Sequence, residues 1–270
     1  MDRVIVTSVA LRRKAFYPST LLPDRWELAC DDPLDAVLAA ADRFGMKAFL
    51  GVGYFGVDTG TARAEGTAER KQWREVPKEL QQRYGGHSSF YGWYLPVEAG
   101  IDGYFPEAYL SYTSEMSDFC RIADPEKPIL IAPYGTRTIR TDSRFRRQLE
   151  SLPVDFVAYQ DEVGVRKTEP AELSRIFENL HTIHQDLPTP LWADTEIFSF
   201  EGKTYGSPLI PAPFERVREQ LDRLSPWVER ILCYQYPGMM NPPGSRAFAG
   251  HPQSIDLYTA YTQWLTDVSS

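Results

Sequence analysis

With 270 residues, 43% of them hydrophobic and 24% charged, the chain has enough apolar material for one large core, and a single domain over residues 1–270 is expected. A net charge of −8 argues against nucleic acid and anionic membrane surfaces as partners, because both need a basic face to displace counterions. The apolar runs stay under ten residues, against the roughly 20 needed to cross a bilayer.

The opening MDRVIVTSVALRRK has an acid at position two and its arginines after the apolar run, the reverse of a signal peptide. A cytoplasmic location is expected as the sequence stands, and a secreted or periplasmic one if a leader precedes it. Cys30, Cys120 and Cys233 are scattered, odd in number and without metal-ligand spacing, so they are expected to be buried free thiols.

In chain order, seven short apolar runs recur: VIVTSVAL from Val4, AFLGVGYF from Ala48, FYGWYL from Phe90, ILIAPY from Ile129, VDFVAYQ from Val154, LWADTEIF from Leu191 and ILCYQY from Ile231. Most are apolar on both faces, as parallel strands covered by helices must be. Segments of helical period separate them. In DPLDAVLAAADRFG, Leu34, Val37, Leu38, Ala41 and Phe44 form an apolar stripe behind a cap at Asp32 and a first-turn Pro33.

GTAERKQWREVPKELQQRYGG reads as a helix interrupted by proline, and Tyr109, Tyr112, Met116 and Phe119 mark another. Leu173, Ile176, Phe177, Leu180 and Ile183 follow a cap-like Thr168; Phe214, Val217, Leu221 and Leu224 follow later, and Leu257, Tyr258, Tyr261 and Trp264 last. Strand and helix in alternation specify a parallel α/β fold with right-handed crossovers, and about 250 residues suit a TIM-type (β/α) barrel. A doubly wound open sheet is the alternative, but no glycine-rich nucleotide fingerprint follows any strand. Seven βα units are recognisable, and the first unit of a (β/α)8 barrel is expected to be absent. The seam so left would expose a strand edge, where dimerisation or a compensating segment is expected.

Chemistry in such barrels sits where strands end. The strand ends carry Tyr54 and Phe55; Glu98; Tyr134 and Arg137; Tyr159, Gln160, Asp161 and Glu162; Asp194 and Glu196; and Tyr234, Gln235 and Tyr236. Carboxylates, amides and aromatic rings without histidine suit a carbohydrate, whose ring stacks on aromatic faces and whose glycosidic bond is cut between two carboxyl groups. No metal or cofactor is expected: the histidines are His87, His181, His184 and His251, none as His-x-His at a strand end, and a structural role is expected for His181 and His184. No G-x-S-x-G elbow is present.

Glu98 ends the third visible strand and Glu196 the sixth, three units apart. The stretches YPS from Tyr17, ADRFGMKAFLGVG from Ala41, SFYGWYLPVE from Ser89, AYQDEVGV from Ala158 and WADTEIF from Trp192 together resemble a bacterial family of glycosidase-like TIM barrels, domain of unknown function 4434. Its members generally carry a further strand and helix ahead of the YPS motif. The spacing of the two glutamates is also similar to that of clan A glycoside hydrolases, whose acid/base ends strand four and whose nucleophile ends strand seven. Clan A usually has asparagine before the acid/base, where Val97 stands here.

The resemblance implies retaining hydrolysis of a bacterial poly- or oligosaccharide, with Glu196 as nucleophile and Glu98 as acid/base, its pKa raised by burial near aromatic rings. Tyr54, Trp93, Tyr134, Tyr159, Gln160, Asp161, Asp194, Tyr234 and Tyr236 are the candidate substrate-binding residues. For Trp93 and Trp192, inside their strands, core packing competes with a stacking role; for Asp161 a catalytic role competes with hydroxyl binding. Two other classes stay open: a barrel that binds carbohydrate without turnover, and a lyase or isomerase of a sugar acid with Arg137 and Arg140 holding the substrate carboxylate.

Overall fold

The computed structural model describes residues 2–53, 67–98 and 100–268, with the backbone alone at Thr67. All seven apolar runs form strands: β1 (Arg3–Val6), β2 (Lys47–Gly51), β3 (Phe90–Leu95), β4 (Ile129–Ile131), β5 (Phe156–Gln160), β6 (Leu191–Glu196) and β7 (Arg230–Tyr234). They make one sheet in sequence order, the order right-handed βα crossovers generate. Among the described residues, seven longer helices accompany them: α1 (Pro33–Arg43), α2 (Thr67–Tyr84), α3 (Glu107–Ala123), α4 (Ser143–Ser151), α5 (Leu173–His184), α6 (Phe214–Leu224) and α7 (Ser254–Val268). No helix among the described residues is long and apolar enough to cross a membrane.

The chain divides into two compact units, residues 1–132 with 143–157 and residues 133–142 with 158–270. In the first, β1 pairs with β2 in parallel register Val4↔Ala48 to Val6↔Leu50, β2 with β3 through Leu50↔Trp93, and β3 with β4 through Trp93↔Ile129. Phe49, Trp93 and Ile129 to Ile131 are fully buried, as strands covered on both faces require. Asp32 caps α1 by accepting the Asp35 amide at 3.1 Å, as the sequence indicates, and Leu34, Leu38 and Ala41 face inward. Val37 and Phe44 are exposed instead: the buried stripe is narrower than the apolar one, and Phe44 lies at the C-cap, past the last turn.

Helix α2 runs through Pro77 unbroken. Its Trp73 meets Tyr112 of α3 edge-on at 5.3 Å between ring centroids. The YPS stretch is a carboxylate cradle. Glu79 of α2 accepts the Tyr17 hydroxyl at 2.7 Å, the Ser19 hydroxyl at 2.6 Å, and both the amide and hydroxyl of Thr20 at 2.6 Å. Burial alone would raise the Glu79 pKa, but these donors outweigh it and lower it.

In the second unit β6 pairs with β7 in parallel, with Glu196 opposite Tyr234. A cluster of Ile197, Phe198, Val217, Leu221, Met239 and Leu257 forms a core under the half-buried Tyr258, Tyr261 and Trp264 of α7. Helix α5 begins later than the cap-like Thr168 suggests. Thr168 is buried, and Glu169 opens a 3-10 turn, Pro170–Glu172, in a reciprocal capping box with Glu172. His184 is structural: its Nδ1 faces the Thr189 carbonyl at 2.9 Å and its Nε2 the Tyr159 hydroxyl at 3.1 Å, while burial pushes its pKa down to about 4. Cys120 is buried, whereas Cys30 is exposed: it lies in the loop ahead of α1 rather than in a packed element.

Candidate functional site

The second unit gathers its strand-end polar residues around Glu196. Strand β5 ends at Gln160, and the following residues, Asp161 to Val165, wrap the end of β6. Asp161 turns inward and is 1% exposed. Its Oδ1 accepts the Val163 amide at 3.1 Å and the Glu196 amide at 3.2 Å, and its Oδ2 accepts Gln220 Nε2 at 2.6 Å. Burial pushes the Asp161 carboxyl up, and Gln220, the two amides and the Arg216 charge pull against that rise.

Glu162 follows with φ of 55°, a left-handed conformation that sends its side chain elsewhere. Its Oε2 accepts the Gly135 and Thr136 amides at 2.9 and 3.0 Å, at the start of the 3-10 turn Thr136–Thr138, and its Oε1 faces Lys167 Nζ at 3.2 Å. Two adjacent carboxylates therefore tie one loop in two directions. Gly164 lets the main chain pass against Glu196, whose Oε2 accepts the Val165 amide at 2.7 Å.

Glu196 is 5% exposed, and its carboxyl pKa is pushed up to about 8, first by burial and next by the charge of Asp161, with Asp194 and Glu162 adding to it. Helix α6 holds the backbone at this point. Arg216 Nη2 donates to the carbonyls of Glu196 at 2.8 Å and Phe198 at 2.7 Å, and Gln220 Nε2 also reaches the Glu196 carbonyl at 3.3 Å. The site thus presents a strand-end carboxyl that keeps its proton near neutrality, a group suited to proton transfer.

Asp161, Asp194 and Glu196 come together here, with Tyr234, 40% exposed, opposite Glu196 in register. Gln160, Asp194 and Tyr236 are half-buried, and Tyr134 is half-buried with its ring 5.1 Å from Lys167 Nζ. Tyr159 is fully buried with its hydroxyl against His184, and Trp93 and Trp192 are also buried; these rings belong to the core, not to a sugar-stacking surface, because no face of them is open. Tyr54 lies outside the described residues.

Glu98 belongs to the first unit, three residues past the end of β3. The buried Val97 anchors the segment while Glu98 is exposed, not set in the buried aromatic surroundings that the sequence suggests; the carboxyl raised by burial is Glu196. The charge of Glu98 does reach the buried phenol of Tyr109, whose pKa is raised chiefly by burial. Arg137 is exposed and gives one N–H to the Lys167 carbonyl at 3.0 Å. Gln220 and Arg216 are the site residues that the sequence reading misses. Gln220 lies on the apolar stripe of α6 with Val217, Leu221 and Leu224, and a polar residue on a buried stripe signals a buried partner.

The domain of unknown function DUF4434 matches residues 1–247. The chain belongs to the DUF4434 family. No curated protein matches it. Among solved structures, the DUF4434 chain is similar to a candidate α-L-fucosidase from Bacteroides thetaiotaomicron, with a TM-score of 0.80 and 19% identity over 98% of this chain and 82% of that one. It is also similar to a β-glucuronidase from an uncultured Clostridium species, with a TM-score of 0.55 and 15% identity over 85% of this chain and 42% of that one. An intracellular xylanase from Thermoanaerobacterium saccharolyticum gives a TM-score of 0.51 and 12% identity over 86% of this chain and 76% of that one. The DUF4434 fold is thus a TIM-barrel-type α/β fold shared with glycoside hydrolases.

Proposed function

We propose that this protein is a glycoside hydrolase acting on a poly- or oligosaccharide by a retaining mechanism, with Glu196 as nucleophile and Glu98 as acid/base. The observation that carries the reading is Glu196: a glutamate at a strand end, nearly buried, gripped through its backbone by Asp161, Gln220 and Arg216, with its carboxyl held by one amide. The fold shared with the fucosidase-like, glucuronidase and xylanase structures supports carbohydrate as the substrate class.

In the first step the ionised Glu196 attacks the anomeric carbon while Glu98 protonates the departing oxygen; in the second, Glu98 takes a proton from water, which releases the sugar from Glu196. An attacking carboxylate must be ionised, and Glu196 ionises only near pH 8 in the free protein. Turnover through this residue is therefore expected to rise across neutrality. The raised value also favours a second reading, in which Glu196 is the proton donor and hydrolysis falls off above pH 8.

The test is a panel of chromogenic glycosides and bacterial polysaccharides, with reducing ends counted from pH 6 to 9.5, for wild type, Glu98→Gln and Glu196→Gln. Turnover by wild type that both substitutions abolish, with folding unchanged, is the expected outcome, and the direction of the pH profile chooses between the two roles of Glu196. Sugar binding without turnover, unaltered in Glu196→Gln, would make this a carbohydrate-binding barrel instead.

A further inference from the structure

Asp161 and Glu196 are two buried carboxyl groups on neighbouring strand ends, and their hydrogen-bond supply is unequal. Asp161 receives three N–H donors, from Val163, Glu196 and Gln220. Among the described residues the Glu196 carboxyl receives one, from Val165. An ionised carboxylate accepts only, and each donated N–H favours it. The pair therefore keeps its negative charge on Asp161 and its proton on Glu196, since neighbouring buried carboxyls resist ionising together.

We propose that Asp161, oriented by Gln220, is a positioning residue for Glu196: it holds the end of β6 through the Glu196 amide and sets the pH at which the Glu196 carboxyl ionises. This rests on the reading of Glu196 as a reacting carboxyl. The other groups bearing on Glu196 are Glu162 from the loop after β5, Asp194 from β6 itself and Arg216 from α6. Glu162 is tied to Lys167 and to the Gly135 and Thr136 amides, and Arg216 spends its Nη2 on carbonyls. Cys233 of β7 faces Asp161 and Asp194, but burial raises its pKa to about 12, so it stays a neutral thiol. Asp161 is accordingly the nearby charge whose removal moves Glu196 furthest.

Asp161→Asn is close to isosteric. Asn Oδ1 can keep the Val163 and Glu196 amides, and its new N–H2 meets Gln220 Oε1, unpartnered among the described residues, once that amide turns over, at the cost of the longer 3.3 Å bond from Gln220 Nε2 to the Glu196 carbonyl. The experiment titrates the carboxyl carbons of 13C-labelled glutamates by NMR in wild type and Asp161→Asn, with Glu196 assigned by its loss in Glu196→Gln. The pH profile of kcat/KM is recorded on any hydrolysed glycoside from the panel. Glu196 is expected to titrate at lower pH in Asp161→Asn by at least about one unit, and the kinetic limb it governs should move with it.

Gln220→Met is the second variant. It takes away the donor that keeps Asp161 ionised, so it also should move Glu196 downward. A Glu196 titration unchanged in both variants overturns the proposal, even if the enzyme turns over. A downward shift with no glycoside hydrolysed anywhere leaves the Asp161–Glu196 coupling standing and sinks the hydrolase reading instead.

Discussion

A β-carbon placed on Gly164 would lie 2.9 Å from Glu196 Cβ and 3.0 Å from its Oε2, with the Phe198 carbonyl at 2.8 Å. Glycine is required there by the approach of the main chain, which brings the Val165 amide onto the carboxyl. Gly164→Ala is expected to push the loop off β6 and cost about 1–3 kcal/mol of stability, as overpacking does. A denaturant midpoint measures it. Alanine in open space would leave stability unchanged or raise it, and either result would show that the loop does not hold Glu196.

Glu196 also makes stability depend on pH. Its folded pKa of about 8 lies above the ordinary 4.5, so between those values the folded protein holds a proton that the unfolded chain has released. Stability from this group is complete below pH 4.5 and declines as pH rises to 8. His184 acts in the opposite sense, because its value near 4 lies below the ordinary 6.5 and stability rises over that interval. Above 6.5 the His184 contribution is complete, while Glu196 and His87, whose pKa is also raised, both make stability fall as pH rises. Between 6.5 and 8 the melting temperature of wild type should therefore fall more steeply with pH than that of Glu196→Gln, which keeps only the His87 share.

The seven strands and their order can be read from the sequence because a strand buried on both faces must be apolar throughout, a property of each run by itself. Helix α6 can be read for the same reason, from the spacing of Val217, Leu221 and Leu224. The Glu196 surroundings cannot. Asp161 and Gln220 are 59 residues apart, and which oxygen meets which amide depends on the left-handed turn at Glu162 and the gap that Gly164 leaves. The exposure of Glu98 is equally hidden, since an apolar strand that ends on a carboxylate can leave it either in a cleft or in water.

The Glu79 cradle gives a test away from the site. Removing the carboxylate strands the buried hydroxyl of Tyr17, and also frees Ser19 and Thr20. Glu79→Ala is expected to destabilise by about 2–3 kcal/mol, the range for losing hydrogen bonds to a buried charge. Because the Glu79 pKa is lowered, its contribution is present above pH 4.5 and lost as pH falls through the depressed value. Wild type and Glu79→Ala should therefore converge in strong acid, and a constant difference across pH would assign the loss to packing alone.

His87 joins the loop before β3 to α1 by a charge that depends on pH. Its Nδ1 faces Asp42 at 2.7 Å and its Nε2 faces Asp35 at 3.1 Å, and only the imidazolium donates from both nitrogens. Partial burial opposes that charge, but the bonds to Asp42 and Asp35 prevail and raise the His87 pKa. The stabilisation is thus complete below pH 6.5 and is lost as pH rises through the raised value. At the acid end Asp42, lowered first by His87 and then by Ser88, stays ionised below its ordinary 3.8 and loses its contribution only as pH falls through that depressed value. His87→Gln should therefore lower the melting temperature most between about pH 4 and 6.5, with the difference fading toward alkaline pH and at high salt, since the bridge is partly exposed. A penalty that grows with pH would mean that the neutral imidazole, not the bridging cation, is the stabilising form.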